Sequence, residues 1–133
     1  MNFKIYTIGD KLDKFYLEAI KEYTKRLSRY CKTSFIYLKS PKQLKKKLSD
    51  KSYIIFITPQ GLHLNSEEFA QKINTWGVSG NSDISIIIGC DNLDSDEQIA
   101  ISSMNMDLGL TATVTFEQIY RAYRILNNQP YHK

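Results

Sequence analysis

The residues of this chain that could do chemistry are few. His63 and His132 are its two histidines. His63 falls in an expected turn, where a solvated imidazole is the ordinary outcome. His132 lies in the ending Pro130-Tyr131-His132-Lys133, and two readings are open there: a frayed tail, or a functional one, because disordered tails favour Gly, Ser and Glu over Pro, Tyr and His. Arg121 and Arg124 stand beside Tyr120 and Tyr123. Their guanidinium groups could clamp phosphate through paired donors. Spacing alone favours the plainer arrangement, with tyrosines in the core and arginines in solvent. Gly89 follows an apolar run and serves either a tight turn or a close ligand approach. There is no G-x-G-x-x-G, P-loop or H-E-x-x-H pattern. Cys31 and Cys90 lack metal-ligand spacing, so no metal site is expected.

The elements that must position these groups can be read from pattern. Asn2 to Ile8 alternates as a strand, and Gly9-Asp10 ends it. Phe15, Ala19, Tyr23, Leu27 and Tyr30 repeat at helical spacing, which predicts a helix from Leu12 to Tyr30. Thr33 to Leu38 is a second strand, and Pro41 opens a short helix to Leu48. Tyr53 to Thr58 is almost wholly apolar, as a strand buried on both faces must be; Pro59-Gln60-Gly61 is expected to break it. Asn65-Ser66-Glu67-Glu68 reads as a helix start, with the helix running to about Trp76. Ile84 to Ile88 is another buried strand. Asp94 to Ile99 is expected as one or two helical turns, Ile101 to Met106 as a short strand, and Thr111 to Asn127 as the last helix. Alternating strands and helices give an α/β fold with a mainly parallel sheet in one domain, 1–133. Ligands of such sheets bind beyond the carboxyl ends of the strands. Pro59-Gln60-Gly61, Gly89-Cys90-Asp91 and the stretch Ser102 to Asp107 are the three edges that fall there.

Composition bounds the setting. The 133 residues are 42% hydrophobic and 24% charged, ordinary for a globular protein. No apolar run reaches bilayer-spanning length, and the N-terminus carries no secretory pattern, so a cytoplasmic location without membrane contact is expected. The net charge of +4 conceals an asymmetry. Residues 1–51 carry 14 Lys/Arg and 5 Asp/Glu, while residues 52–133 carry 4 and 9. Such segregation suggests a basic face for a polyanion. For Lys45-Lys46-Lys47 alone, a solvated helix face suffices as an explanation.

A resemblance rests on particular stretches. Glu117-Gln118-Ile119-Tyr120-Arg121-Ala122-Tyr123-Arg124-Ile125, with the ending Pro130-Tyr131-His132-Lys133, resembles the C-terminal signature of the RlmH family of SPOUT methyltransferases. Glu22 to Cys31, Ser66 to Ala70 and Ile86-Ile87-Ile88-Gly89 resemble other parts of the same family. The resemblance implies a SPOUT-type α/β fold, a mainly parallel sheet flanked by helices with a C-terminal trefoil knot, such knots being rare exceptions among folds. It implies a homodimer paired through the last helix. It also implies methylation of N3 of a pseudouridine in 23S ribosomal RNA of the assembled ribosome, with S-adenosylmethionine as donor. The cofactor positions it implies are Ile57, Gly89 and Ser102-Ser103-Met104-Asn105-Met106. Arg121, Tyr131 and His132 match the substrate-side residues.

The sequence departs from the family at the cofactor loop. Ile88-Gly89 is followed by Cys90-Asp91-Asn92-Leu93 where the family pattern has two further glycines. Asp107-Leu108 stands in place of a Pro-His pair, Ala112 in place of a basic residue, and the last helix begins rich in threonine. The first expectation is an active methyltransferase with a rebuilt loop. The alternative is an inactive dimer that still binds ribosomal RNA; a third reading is a purely structural dimer.

Overall fold

The computed structural model describes residues 1–133. Its elements are β1 (Asn2–Ile8), α1 (Lys14–Leu27), β2 (Lys32–Leu38), α2 (Pro41–Lys47), β3 (Tyr53–His63), α3 (Ser66–Val78), β4 (Asp83–Ile88), β5 (Glu97–Ala100) and α4 (Leu108–Leu126). All strand pairs are parallel, in the order β2-β1-β4-β3-β5. The α/β architecture expected of a SPOUT domain is therefore present. No helix is long and apolar enough to cross a membrane.

The central strands explain the layers. On β4, Ile84, Ile86 and Ile88 join the larger core, while Ile87 points to the other face. The larger core holds Ile20 and Leu27 of α1, Phe69, Ile73 and Trp76 of α3, and Ala112, Phe116 and Ile119 of α4. The smaller core seats Leu44 of α2 against Tyr6, Leu38, Phe56 and Ile87. A parallel sheet needs cover on both faces, and these two clusters supply it.

Local chemistry sets the helix ends. Asn65 and Glu68 form a reciprocal capping box at α3: the Asn65 side chain accepts from Glu68 N at 2.8 Å, and Glu68 accepts from Asn65 N at 2.9 Å. α4 starts three residues earlier than its periodicity predicts, because Asp107 caps it through Gly109 N at 3.0 Å and Leu110 N at 3.4 Å. Thr111, Thr113 and Thr115 return their hydroxyls to carbonyls four residues back, at 2.8 to 2.9 Å, which satisfies a threonine-rich first half. α1 stops at Leu27 rather than Tyr30, since the Tyr30 and Cys31 amides both fold back onto the Leu27 carbonyl.

Three expectations are corrected. Pro59-Gln60-Gly61 does not end β3. The strand steps out at Thr58–Gly61 and resumes, so that Ile57 and Leu62 both face Ile99. Gly61 allows this, since a Cβ there would lie 2.6 Å from Ile99 N. Asp94 to Ile99 is not helical; its latter part is β5 on the edge of β3. Ile101 to Met106 forms no strand and is an irregular loop leading into α4.

Glu97 explains why a polar segment pairs as β5. Its carboxylate accepts from Lys72 Nζ at 2.7 Å, Tyr53 OH at 2.6 Å and Trp76 Nε1 at 2.8 Å. Burial pushes the Glu97 pKa up, but these donors and the Lys72 charge outweigh it and hold the carboxyl below its usual range. Burial and the same carboxylate push Tyr53 up to about 12. A carboxylate with a lowered folded pKa stabilises above its unfolded value and ceases to as pH falls through the folded one. Glu97→Ala leaves the buried Trp76 indole and the partly buried Tyr53 and Lys72 without their acceptor and should cost about 2–3 kcal/mol in urea unfolding at pH 7. The difference from wild type should shrink below about pH 4.

Candidate functional site

The carboxyl ends of β3 and β4, with the loop after β5, enclose a cavity of about 370 Å³. That size falls within the range of small-ligand sites, at a place where parallel sheets bind ligands. Ile57, Gly89, Ser102, Met104, Asn105 and Met106 all contribute to its wall. Ser103, expected with them, is exposed and does not line the cavity. Pattern did not single out Thr58, Ile101, Leu108 or Thr111, which also line it. Leu108 and Thr111 come from the early start of α4, which Asp107 as a capping residue could have signalled.

Glycines shape the cavity. Gly89 has a φ of +94°, and a Cβ there would strike the Ile8 carbonyl and sit 3.1 Å from Leu108 Cδ1. The β4 turn therefore lies directly on the end of β1, with only hydrogen fitting between. Tyr16 of α1 lies over Gly109, where a Cβ would collide with its ring. Cys90 and Leu93 stand where the family pattern has glycines; Cys90 is in the wall of the cavity, with Asp91 beside it, and Leu93 turns to the smaller core. The Cys90 thiol is turned to Asn92 Oδ1 at 2.9 Å.

Arg121, Tyr131 and His132 are brought together, but outside this wall. Glu117 gathers them. It accepts from Arg121 Nη2 at 2.8 Å, Tyr131 OH at 2.7 Å and Gln118 Nε2 at 2.9 Å. Arg121 also lies 4.7 Å from the Tyr131 ring centroid, a cation–π contact. Arg121 Nη1 stands 3.1 Å from His132 Nδ1. A guanidinium only donates, so Nδ1 accepts and Nε2 carries the hydrogen, which it donates to Glu67 at 2.6 Å. The His132 hydrogen bond holds the Glu67 carboxyl below its usual range. The Glu117 hydrogen bond raises the Arg121 pKa further. Burial, then Glu117, push the Tyr131 phenol up.

The tail is thus docked, not frayed. Arg124 completes the docking through the Pro130 carbonyl, at 2.7 and 3.3 Å, and through Tyr30 OH at 3.1 Å. Neither arginine is simply solvated. His63 ends β3 in an exposed position, with no part in either group. Glu117 and Glu67 were not singled out as site residues from sequence; the four-residue step from Glu117 to Arg121 on a helix is the signal that could have found the first. A second cavity of about 420 Å³ bridges the two groups: Ile57 and Ile101 are common to both cavities, and Glu67 and Gln118 line the second.

The all-parallel sheet, the glycine-shaped cavity beyond its strand ends and the docked C-terminal cluster define a parallel α/β domain with a cavity where such sheets bind ligands. The family model described as "Predicted SPOUT methyltransferase" matches residues 1–132. A "Ribosomal RNA large subunit methyltransferase H 1" of Thermoanaerobacter sp. (strain X514) is 53% identical over 133 residues, covering all of both chains. The "Ribosomal RNA large subunit methyltransferase H 1" of Clostridium perfringens (strain SM101 / Type A) is 33% identical over 159 aligned positions, again covering both. A "Putative ribosomal RNA large subunit methyltransferase H" of Methanococcus maripaludis (strain C5 / ATCC BAA-1333) is 34% identical over the same span. The chain belongs to the SPOUT methyltransferases, within the RlmH family.

Two variants test this geometry. Gly89→Ala should lower stability by about 1–3 kcal/mol in chemical denaturation, because the side chain meets the Ile8 carbonyl at a left-handed φ. Glu117→Ala should loosen the tail: the Gln129 amide, bonded to the Arg124 carbonyl, should exchange faster, while amides in the middle of α4 keep their protection.

Proposed function

We propose that this protein is an S-adenosylmethionine-dependent methyltransferase acting on N3 of a pseudouridine in 23S ribosomal RNA of the assembled ribosome. It would work in the cytoplasm as a homodimer paired through α4, with the trefoil knot of its family at the C-terminal segment. The observation that carries the reading is the open cavity beyond β3 and β4, walled by six of the seven residues expected to hold the cofactor.

The wall suits that cofactor. Gly89 leaves backbone bare beside the cavity, as a ligand held by main-chain groups requires. Ile57, Ile88, Met106 and Leu108 give it an apolar side, and the Asp91 carboxylate supplies negative charge complementary to a sulfonium. When bound, the cofactor supplies an electrophilic methyl group.

The remaining work falls to the chain's own residues. The acceptor nitrogen must be placed in line, and positioning supplies much of the acceleration. Arg121, held by Glu117, keeps a rigid guanidinium for a phosphate or a uracil carbonyl. N3 must lose its proton as the bond to carbon forms. Both nitrogens of His132 are engaged, by Arg121 and Glu67, so His132 orders this surface and would need to shed a partner to accept that proton. Tyr131, fixed by Glu117 at its hydroxyl and with Arg121 over its ring, holds the tail beside that guanidinium.

Titration calorimetry with S-adenosylmethionine should give saturable binding that Gly89→Trp abolishes. Methyl transfer from labelled cofactor to unmodified ribosomes should follow, and Arg121→Ala should lower its rate about 10²-fold. Absence of binding at millimolar cofactor would sink the enzyme reading in favour of an RNA-binding dimer.

A further inference from the structure

The 14 basic side chains of residues 1–51 do not scatter once the chain folds. β2 is an edge strand, paired only with β1. α1 covers the larger core beside it, and α2 covers the opposite face of the sheet. Lys32 and Lys39 flank β2 at its two ends, so α1, β2 and α2 together carry a basic belt around one edge. All of these side chains except Lys4 are exposed. Arg26 alone among them forms an ion pair, with Glu22 at 2.9 Å. The opposite edge is acidic, with Glu67 and Glu68 at the start of α3 and Asp94, Asp96 and Glu97 beside β5.

Two ordinary causes of surface lysine fall short. Lysine blunts an edge strand, which accounts for Lys32 and Lys39. Cations complement a helix C-terminus, which accounts for some of Lys25, Arg26 and Lys45 to Lys47. Neither cause explains Lys11, Lys21, Arg29, Lys42 and Lys51. Nor does solvation require them, since α3 is also solvent-facing and uses Gln71, Asn74 and Thr75, with its one lysine tied to Glu97.

We infer that this β2-edge belt is the protein's phosphate-binding surface, and that it grips RNA beyond the methyl-transfer end of the sheet. All strands are parallel, so the cavity marks their carboxyl end. There Lys11 and Lys14 are interleaved with Asp10 and Asp13, which leaves Lys39 and Lys42 as that end's uncompensated cations. Lys25, Arg29 and Lys32 lie where α1 returns to the amino end, and Lys46 and Lys47 close α2 as it too returns there. A seven-residue strand places that end about 20 Å from the cavity side. The free positive charge is thus greatest away from the reacting base, which suits backbone contacts that anchor the protein on folded RNA without reading sequence. The identity of the polyanion as ribosomal RNA rests on the proposed function above.

The test compares two quadruple variants with equal charge loss. Lys25→Gln, Lys32→Gln, Lys46→Gln and Lys47→Gln are combined in one. Gln71→Glu, Asn74→Glu and Thr75→Glu, on exposed positions of α3, are combined with Ser79→Glu at its exposed C-cap in the other. Binding to unmodified ribosomes is titrated at several salt concentrations, and methyl-transfer rates are measured alongside. The belt variant should flatten the plot of log affinity against log salt by about 3, given about 0.7–0.9 per phosphate contact. Its KM should rise about tenfold or more while kcat stays within about twofold, because the belt binds ground and transition states alike. The α3 variant should leave the slope unchanged. Equal effects of the two variants, or none from the belt variant, would overturn the inference, as would binding to phosphatidylserine vesicles as tight as to ribosomes. Wild type that binds with a belt-dependent slope yet transfers no methyl would sink the enzyme reading and leave the belt standing. Normal transfer with an unaffected belt variant would do the reverse.

Discussion

The double-sided burial of β4 governs the rest of the molecule. Ile84, Ile86 and Ile88 enter one core and Ile87 the other, so neither face of the strand can meet water. Such a strand must lie inside the sheet, and it lies between β1 and β3. Parallel neighbours cannot be joined by tight turns, so helices must cross the faces. α1 and α3 cross one face and α2 the other. Once every strand runs the same way, every carboxyl end emerges on one side. The cavity exists because the turns leaving β3, β4 and β5 have nowhere else to go.

Its shape then depends on contacts too close for side chains. Gly89 is pressed on the Ile8 carbonyl and Leu108, and Gly109 on the ring of Tyr16. Both contacts join the cavity loops to elements early in the chain, β1 and α1. Interiors packed this tightly transmit displacement rather than absorb it. The cavity wall is therefore tied to the core at Gly89 and Gly109, although most of it is loop. This also explains how Cys90 and Leu93 are accommodated where the family pattern has glycines. The position that must be glycine is the one against Ile8, and that one is kept.

Much of this was legible in the sequence, and the parts that were not share a cause. The periodicity of α1 and the apolar runs of β3 and β4 each report burial, which is what pattern measures. The capping box at Asn65 and Glu68 is a local signal and was equally readable. β5 was not, because Glu97-Gln98-Ile99-Ala100 has no strand pattern of its own. It pairs because Lys72, Tyr53 and Trp76, from two other elements, converge on Glu97. The detour at Thr58–Gly61 was likewise invisible, since it depends on a neighbour that had not been recognised as a strand. At the site, six of the seven positions matched to the family's cofactor residues line one cavity and Ser103 does not. What the motif did not show was that Glu117 and Glu67 are the groups that assemble Arg121, Tyr131 and His132.

That assembly has an electrostatic logic. Arg121 is about three-quarters buried at its side chain, and a cation so placed needs a partner. Glu117 provides one, but a carboxylate has room for several donors, and Tyr131 and Gln118 take the rest. Arg121 then has a hydrogen left for His132, whose far nitrogen needs an acceptor, and Glu67 at the start of α3 supplies it. Each bond uses the valence the previous one leaves free, from α4 through the tail to α3. The chain of donors runs in one direction only, because the guanidinium cannot accept and the carboxylates cannot donate. A substrate phosphate arriving here would meet Arg121 with its charge already balanced by Glu117. On the proposed function, a phosphate held at this cluster would be selected by geometry more than by charge, while the uncompensated charge of the β2 edge would supply the attraction.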